Sequence, residues 1–163
     1  MKVAIALALC GTVFCSAPVG AAQDAASPAW ISERVKLWIN VCPSTAPTFA
    51  KFKAAARANG FSPGSGGVQQ YKRTEIVASL KASGSRCNCL FSFGTDDPKR
   101  AANMMLSKLR AKYGSKFEPD DDPKSLGKLR TSDGDMSISV QTYKNAGLDW
   151  VGAVVHGRQK CPA

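Results

Sequence analysis

A single histidine, His156, serves the whole 163-residue chain, so any histidine-based catalysis or multi-histidine metal ligation has to run through one side chain. After the first fifteen positions no segment approaches the roughly 20 apolar residues that a membrane-spanning helix needs. There is no GxSxG, no HExxH, no P-loop and no CxxC, which excludes the motif-bearing forms of the hydrolases, zinc peptidases, P-loop enzymes and thioredoxin-like oxidoreductases. No internal repeat and no linker-like stretch divides the chain. Acidic residues are also scarce: 12 Asp and Glu stand against 22 Lys and Arg, a formal charge of +10.

What is present is ordinary globular composition, 44% hydrophobic and 21% charged, which predicts a folded chain rather than a disordered one. Lys2 precedes an apolar run from Val3 to Cys15, and Pro18, Gly20, Ala21 and Ala22 follow. This is the pattern of a secretory signal with small residues at its cleavage site. Residues 1–22 are therefore read as a cleaved leader, residues 23–163 as one domain, and the location as secreted or periplasmic. A lipid anchor on Cys10 or Cys15 is disfavoured, because bulky Leu9 and Phe14 occupy the positions where a small residue is expected.

Export decides how the remaining cysteines are read. Cys42, Cys87, Cys89 and Cys161 are an even set in an oxidising compartment, which favours two disulfides over free thiols. If Cys87 and Cys89 share a strand they share a face, and a bond between them is strained. Each then reaches elsewhere, one to Cys42 and one to Cys161, with the assignment open. Such loops stabilise by about 4 kcal/mol apiece in the chain-entropy description.

Capping and periodicity outline the elements. Ser27 and Pro28 start a helix with Ile31, Val35, Trp38 and Cys42 on one face, and Pro43 stops it. A second helix is expected from about Thr48 to Asn59, with Phe49, Phe52 and Ala56 inward and Gly60 as its C-cap. The Gly/Ser-rich stretch 61–67 reads as a surface loop. Period-two alternation then runs through residues 74–80, turns at 83–86 and returns with Cys87, Cys89, Phe91 and Phe93 on one face. Asp96 or Asp97 with Pro98 opens a third helix, whose stripe of Ala102, Met105, Leu106, Leu109 and Tyr113 ends at Gly114. A short strand around Lys128 and two firmer ones, 136–143 and 148–156, complete the chain, joined by turns at 132–135 and 145–147. The expectation is a single α+β domain of order about ααββαβββ. It would have two N-terminal helices, an antiparallel sheet of about four to five strands, and the third helix inserted between hairpins.

Chemistry is sparse by comparison. His156 could work with Asp149 or Asp135 as an acid–base unit in a small hydrolase or transferase, but no nucleophile motif accompanies it, and a strand-end residue with a local partner is the preferred reading. Cys87 and Cys89 could ligate a soft metal with Met104, Met105 or Met136, or act in thiol redox. Two further cysteines able to pair with them argue against both. Asp120 to Asp122 lack EF-hand spacing and read as a solvated loop. No cofactor is implied.

The strongest pattern is the basic surface. Lys99, Arg100, Lys108, Arg110 and Lys112 lie opposite the apolar stripe of the third helix, and Lys51, Lys53 and Arg57 lie on the second. Such a face attracts an anionic polymer, a lipid headgroup or an acidic protein. The aromatic residues fall at core-like spacing rather than between the cations, which argues against nucleic acid. Trp38 reads as core, and Trp30, at a helix start, is the aromatic best placed for an exposed contact, with core packing preferred even there. The sequence thus describes a non-enzymatic, exported or envelope-associated binding domain that meets an anionic partner.

Overall fold

The first helix begins where its caps require. The Ser27 hydroxyl accepts the Trp30 amide at 3.2 Å and Pro28 occupies the first helical position, giving α1 over Pro28–Val41. The computed structural model describes residues 24–64, 70–73, 75–145 and 147–162; the expected leader lies outside the described residues. Ile31, Val35, Leu37, Trp38, Ile39 and Val41 are all buried, so α1 is covered nearly all round, as an inner helix must be. A short 3-10 turn, Pro43–Thr45, ends it.

The second helix, α2, is shorter than its periodicity suggests, spanning Phe52–Ala58. Phe49 precedes it at φ 54, outside helical space, yet its ring is fully buried. Packing, not helical geometry, explains the apolar spacing there. At the other end Gly60, at φ 79, lets the Phe61 amide reach back to the Ala56 carbonyl at 3.1 Å and its own amide reach Arg57 at 3.0 Å. That reciprocal pair is a Schellman cap. The third helix, α3 (Pro98–Tyr113), starts as expected: the Asp97 side chain accepts the Arg100 amide at 2.9 Å.

The strands are β1 (Ser62–Pro63), β2 (Gln70–Arg73), β3 (Ile76–Ser83), β4 (Arg86–Gly94), β5 (Phe117–Pro119), β6 (Ser125–Thr131), β7 (Gly134–Asn145) and β8 (Leu148–His156). They form one eight-stranded sheet in the order β1-β2-β3-β4-β8-β7-β6-β5, antiparallel at every step. This corrects the expected sheet of about four to five strands and the order ααββαβββ. The order is ααββββαββββ, with α3 between two four-stranded meanders that meet where β4 pairs with β8.

The additional strands have a physical reason for being missed. β1, β2 and β5 are two to four residues long, too short to show a period of two, and prolines in β1 and β5 suit edge strands. β6 is interrupted by an irregularity between Ser125 and Gly127. Gly127 sits at φ +132, and a Cβ there would collide with the Glu118 carbonyl, so only glycine lets β5 and β6 approach.

The helices cover one face of this sheet. Ile76, Ala78 and Leu80 of β3, Phe91 and Phe93 of β4, Met136, Ile138 and Val140 of β7, and Val151, Ala153 and Val155 of β8 are buried with Trp38, Met105 and Leu109 in a single core. Each fully buried side chain of this size contributes about 1.5–3 kcal/mol. Both α2 and α3 pack on α1 rather than on each other. No helix among the described residues is long and apolar enough to cross a membrane.

Two disulfides tie the layers together: Cys42–Cys89 joins the end of α1 to β4, and Cys87–Cys161 joins β4 to the tail. Cys87 and Cys89 share the core face of β4 and are both buried, so neither pairs with the other and neither sulfur is a free thiolate. Two such bonds fit an oxidising environment, extracellular or periplasmic. The bridges close separations of 47 and 74 residues, so Cys42→Ala with Cys89→Ala should lower the urea-unfolding free energy by about 4 kcal/mol, and Cys87→Ala with Cys161→Ala by a similar amount. Only the second variant should open the last residues to carboxypeptidase, read by mass spectrometry. Equal protection of the tail in both would contradict the anchoring role of that bond.

Candidate functional site

The uncovered sheet face carries the lone histidine. Registers place Asn88 opposite His156, Leu90 opposite Val154 and Ser92 opposite Gly152, while β7 adds Ser139 beside Val154 and Gln141 beside Gly152. Tyr143 stacks on Trp150 with centroids 6.3 Å apart. Its ring leans over Gly152, where a Cβ would come within 3.3 Å of it. Small hydroxyl and amide side chains alternate with a few aliphatic ones, as on a water-facing antiparallel sheet.

His156 Nε2 lies 2.9 Å from Ser139 Oγ on the neighbouring strand. Burial lowers its pKa from the ordinary value and the positive charge of Arg86 lowers it further. Asp149 is seven positions away on the same strand, about 23 Å along it and on the opposite face, where it pairs with Lys144 at 3.4 Å. Asp135 shares the open face but makes no hydrogen bond with His156. The structure therefore brings Ser139 to the histidine and brings neither carboxylate. Among the described residues no carboxylate hydrogen-bonds to the imidazole, a contact that ordinarily orients a serine nucleophile's base.

The cations of the helices fall in two groups, because α2 and α3 each pack on α1. Lys51, Lys53 and Arg57 are exposed on α2. On α3, Arg100 is tied to Asp97 at 3.2 Å and to the Ala26 carbonyl at 3.2 Å. Lys112 donates to Ser44 Oγ and stands 5.7 Å from the Tyr113 ring centre. Lys99, Lys108 and Arg110 are exposed and form no ion pair among the described residues. Trp30, by contrast, is half-buried beneath the guanidinium of Arg34, itself a buried cation held by Glu33 at 3.0 Å. It offers no exposed aromatic contact.

Two clefts lie between α3 and other segments of the fold. The larger, about 760 Å³, opens at the N-terminal end of α3 and is lined by Lys99, Ala102, Asn103, Lys124, Val140 and Thr142 among others. The smaller, about 390 Å³, lies at the other end of the helix, between the 3-10 turn, Lys112 to Lys116, and Leu129 to Ser132. Neither was visible in the sequence, since each draws its lining from segments far apart in the chain.

The chain matches no protein-family model, no curated protein and no solved structure.

With one histidine in the chain, its titration is directly observable. The folded-state pKa lies below the unfolded value, so the unfolded chain binds the extra proton. His156 therefore favours folding fully above the unfolded pKa of about 6.5, and that contribution is lost as pH falls through the folded value. Arg86→Gln should raise the imidazole pKa measured by NMR and lessen the loss of stability on acidification. An unchanged titration would show that Arg86 does not act on the ring.

Proposed function

We propose that the protein is an exported, non-enzymatic binding domain, secreted or periplasmic after loss of its leader, whose α3 surface meets an anionic polymer. One observation carries this reading. Over 16 residues α3 displays five cations and no carboxylate, and three of those cations are exposed and form no ion pair among the described residues. A surface of this kind produces a positive potential that attracts polyanions and weakens as salt screens it. The larger cleft adds Lys99 and Lys124 with no acidic side chain in its lining, which supports the same sign of partner. α3 packs on α1, which the Cys42–Cys89 bond ties to β4, so the charges are presented without a large ordering cost.

Elution from an immobilised polyanion such as heparin tests the reading. The triple variant Lys99→Glu, Lys108→Glu, Arg110→Glu should elute at much lower salt than a control of equal charge change placed elsewhere, Lys36→Glu, Lys51→Glu, Lys81→Glu. Equal losses in the two would reduce the effect to net charge and sink the proposal.

A further inference from the structure

The smaller cleft is chemically the more selective of the two. Three segments distant in sequence build it: the 3-10 turn after α1, the C-terminal turn of α3, and the end of β6 with its turn. Lys112, Lys116 and Arg130 bring positive charge to it, and no Asp or Glu lines it. Arg130 is held by Glu118 at 3.1 Å, which leaves the two lysines as its uncommitted charges. Lys112 is also oriented. Its ammonium donates to Ser44 Oγ, while the Ser44 hydroxyl donates onward to the Ile39 carbonyl at 2.6 Å. That relay fixes one N–H of the lysine and leaves its other two to point elsewhere.

The Tyr113 hydroxyl is buried in the same wall and faces the Ser44 side chain. Burial raises its pKa, so it remains a donor at neutral pH. Burial also lowers the pKa of Lys112, as expected for an ammonium partly stripped of water and lacking an anion to compensate it. The cleft is thus rich in donors and poor in acceptors, the opposite of what a neutral sugar or a cation needs. Pro43, Ala46, Pro47 and Leu129 supply an apolar side, so the space has room for more than a bare ion.

We propose that this cleft binds a phosphate or sulfate monoester, its oxyanion held by Lys112 and Lys116 and its carbon skeleton resting on Pro43, Pro47 and Leu129. The proposal deepens, and rests on, the reading of the protein as a binder of anionic polymers: it names the pendant group that such a polymer would insert. Charge-assisted N–H···O bonds give the head group its hold, while the prolines and the leucine select an esterified oxyanion over the free ion.

Titration of the full disulfide-bonded protein by calorimetry and by amide chemical shifts tests this, with phenyl phosphate and phenyl sulfate as probes and inorganic phosphate, phenol and benzoate as comparisons. Saturable binding of one or both esters is expected, with shifts at residues 43–47, 112–116 and 129–132. Inorganic phosphate and phenol should each bind at least about tenfold more weakly, because each lacks one half of the recognition. Phosphate against sulfate identifies the ester, and benzoate shows whether a planar carboxylate suffices. Lys112→Met with Lys116→Met should lower ester affinity by about tenfold or more, while Lys36→Glu with Lys81→Glu, outside the cleft and off the α3 face, should leave it unchanged. No saturable ester binding, shifts confined to other residues, tighter binding of benzoate, or inorganic phosphate binding as well as the esters would overturn the proposal. Heparin retention that persists when the esters fail removes the cleft alone; ester binding without α3-dependent retention removes the polymer reading and leaves the cleft in place.

Discussion

Strand β4 is the element on which everything else is hung. Its alternation sets Cys87, Cys89, Phe91 and Phe93 on one side. The two sulfurs then reach outward in different directions, to the end of α1 and to the tail. On its two edges it pairs with β3 and β8, so the same nine residues hold the first meander, the second meander, the helix layer and the terminus. A slip of one residue in its register would turn both half-cystines to water and break the two bridges at once.

That arrangement bears on how the charges are displayed. α1 is largely buried, with seven of its side chains inward, and most of the helical basic residues lie on the solvated sides of α2 and α3. The two sets do not merge, because each helix packs on α1 separately. The proposed polymer-binding surface is therefore α3 with the clefts at its ends, and the cations of α2 remain as general positive charge.

Much of this was legible in the sequence, and the parts that were not share a cause. Ser27 with Pro28, Asp97 with Pro98 and Gly60 declare helix ends through local hydrogen bonding, and all three operate as their residue types suggest. The i, i+2 spacing of Cys87 and Cys89 excluded their mutual bond through strand geometry alone. By contrast, β1, β2 and β5 exist only because longer neighbours offer them an edge to pair with, which no local pattern encodes. Phe49 fits a helical stripe by spacing while its backbone is left-handed, because burial of the ring decides its position. Which residue stands beside His156 depends on the β7–β8 register, and that register brings Ser139, not Asp149. The cleft of Ser44, Lys112 and Leu129 joins parts of the chain that only the packed fold brings together.

The outermost strands have a bearing on how the molecule behaves in company. A sheet eight strands wide offers two rims of backbone amides and carbonyls to any passing chain. Here both rims are short, and each contains a proline, Pro63 in β1 and Pro119 in β5, whose nitrogen has no hydrogen to give. Growth by strand addition from copy to copy is thus blunted at both outer strands.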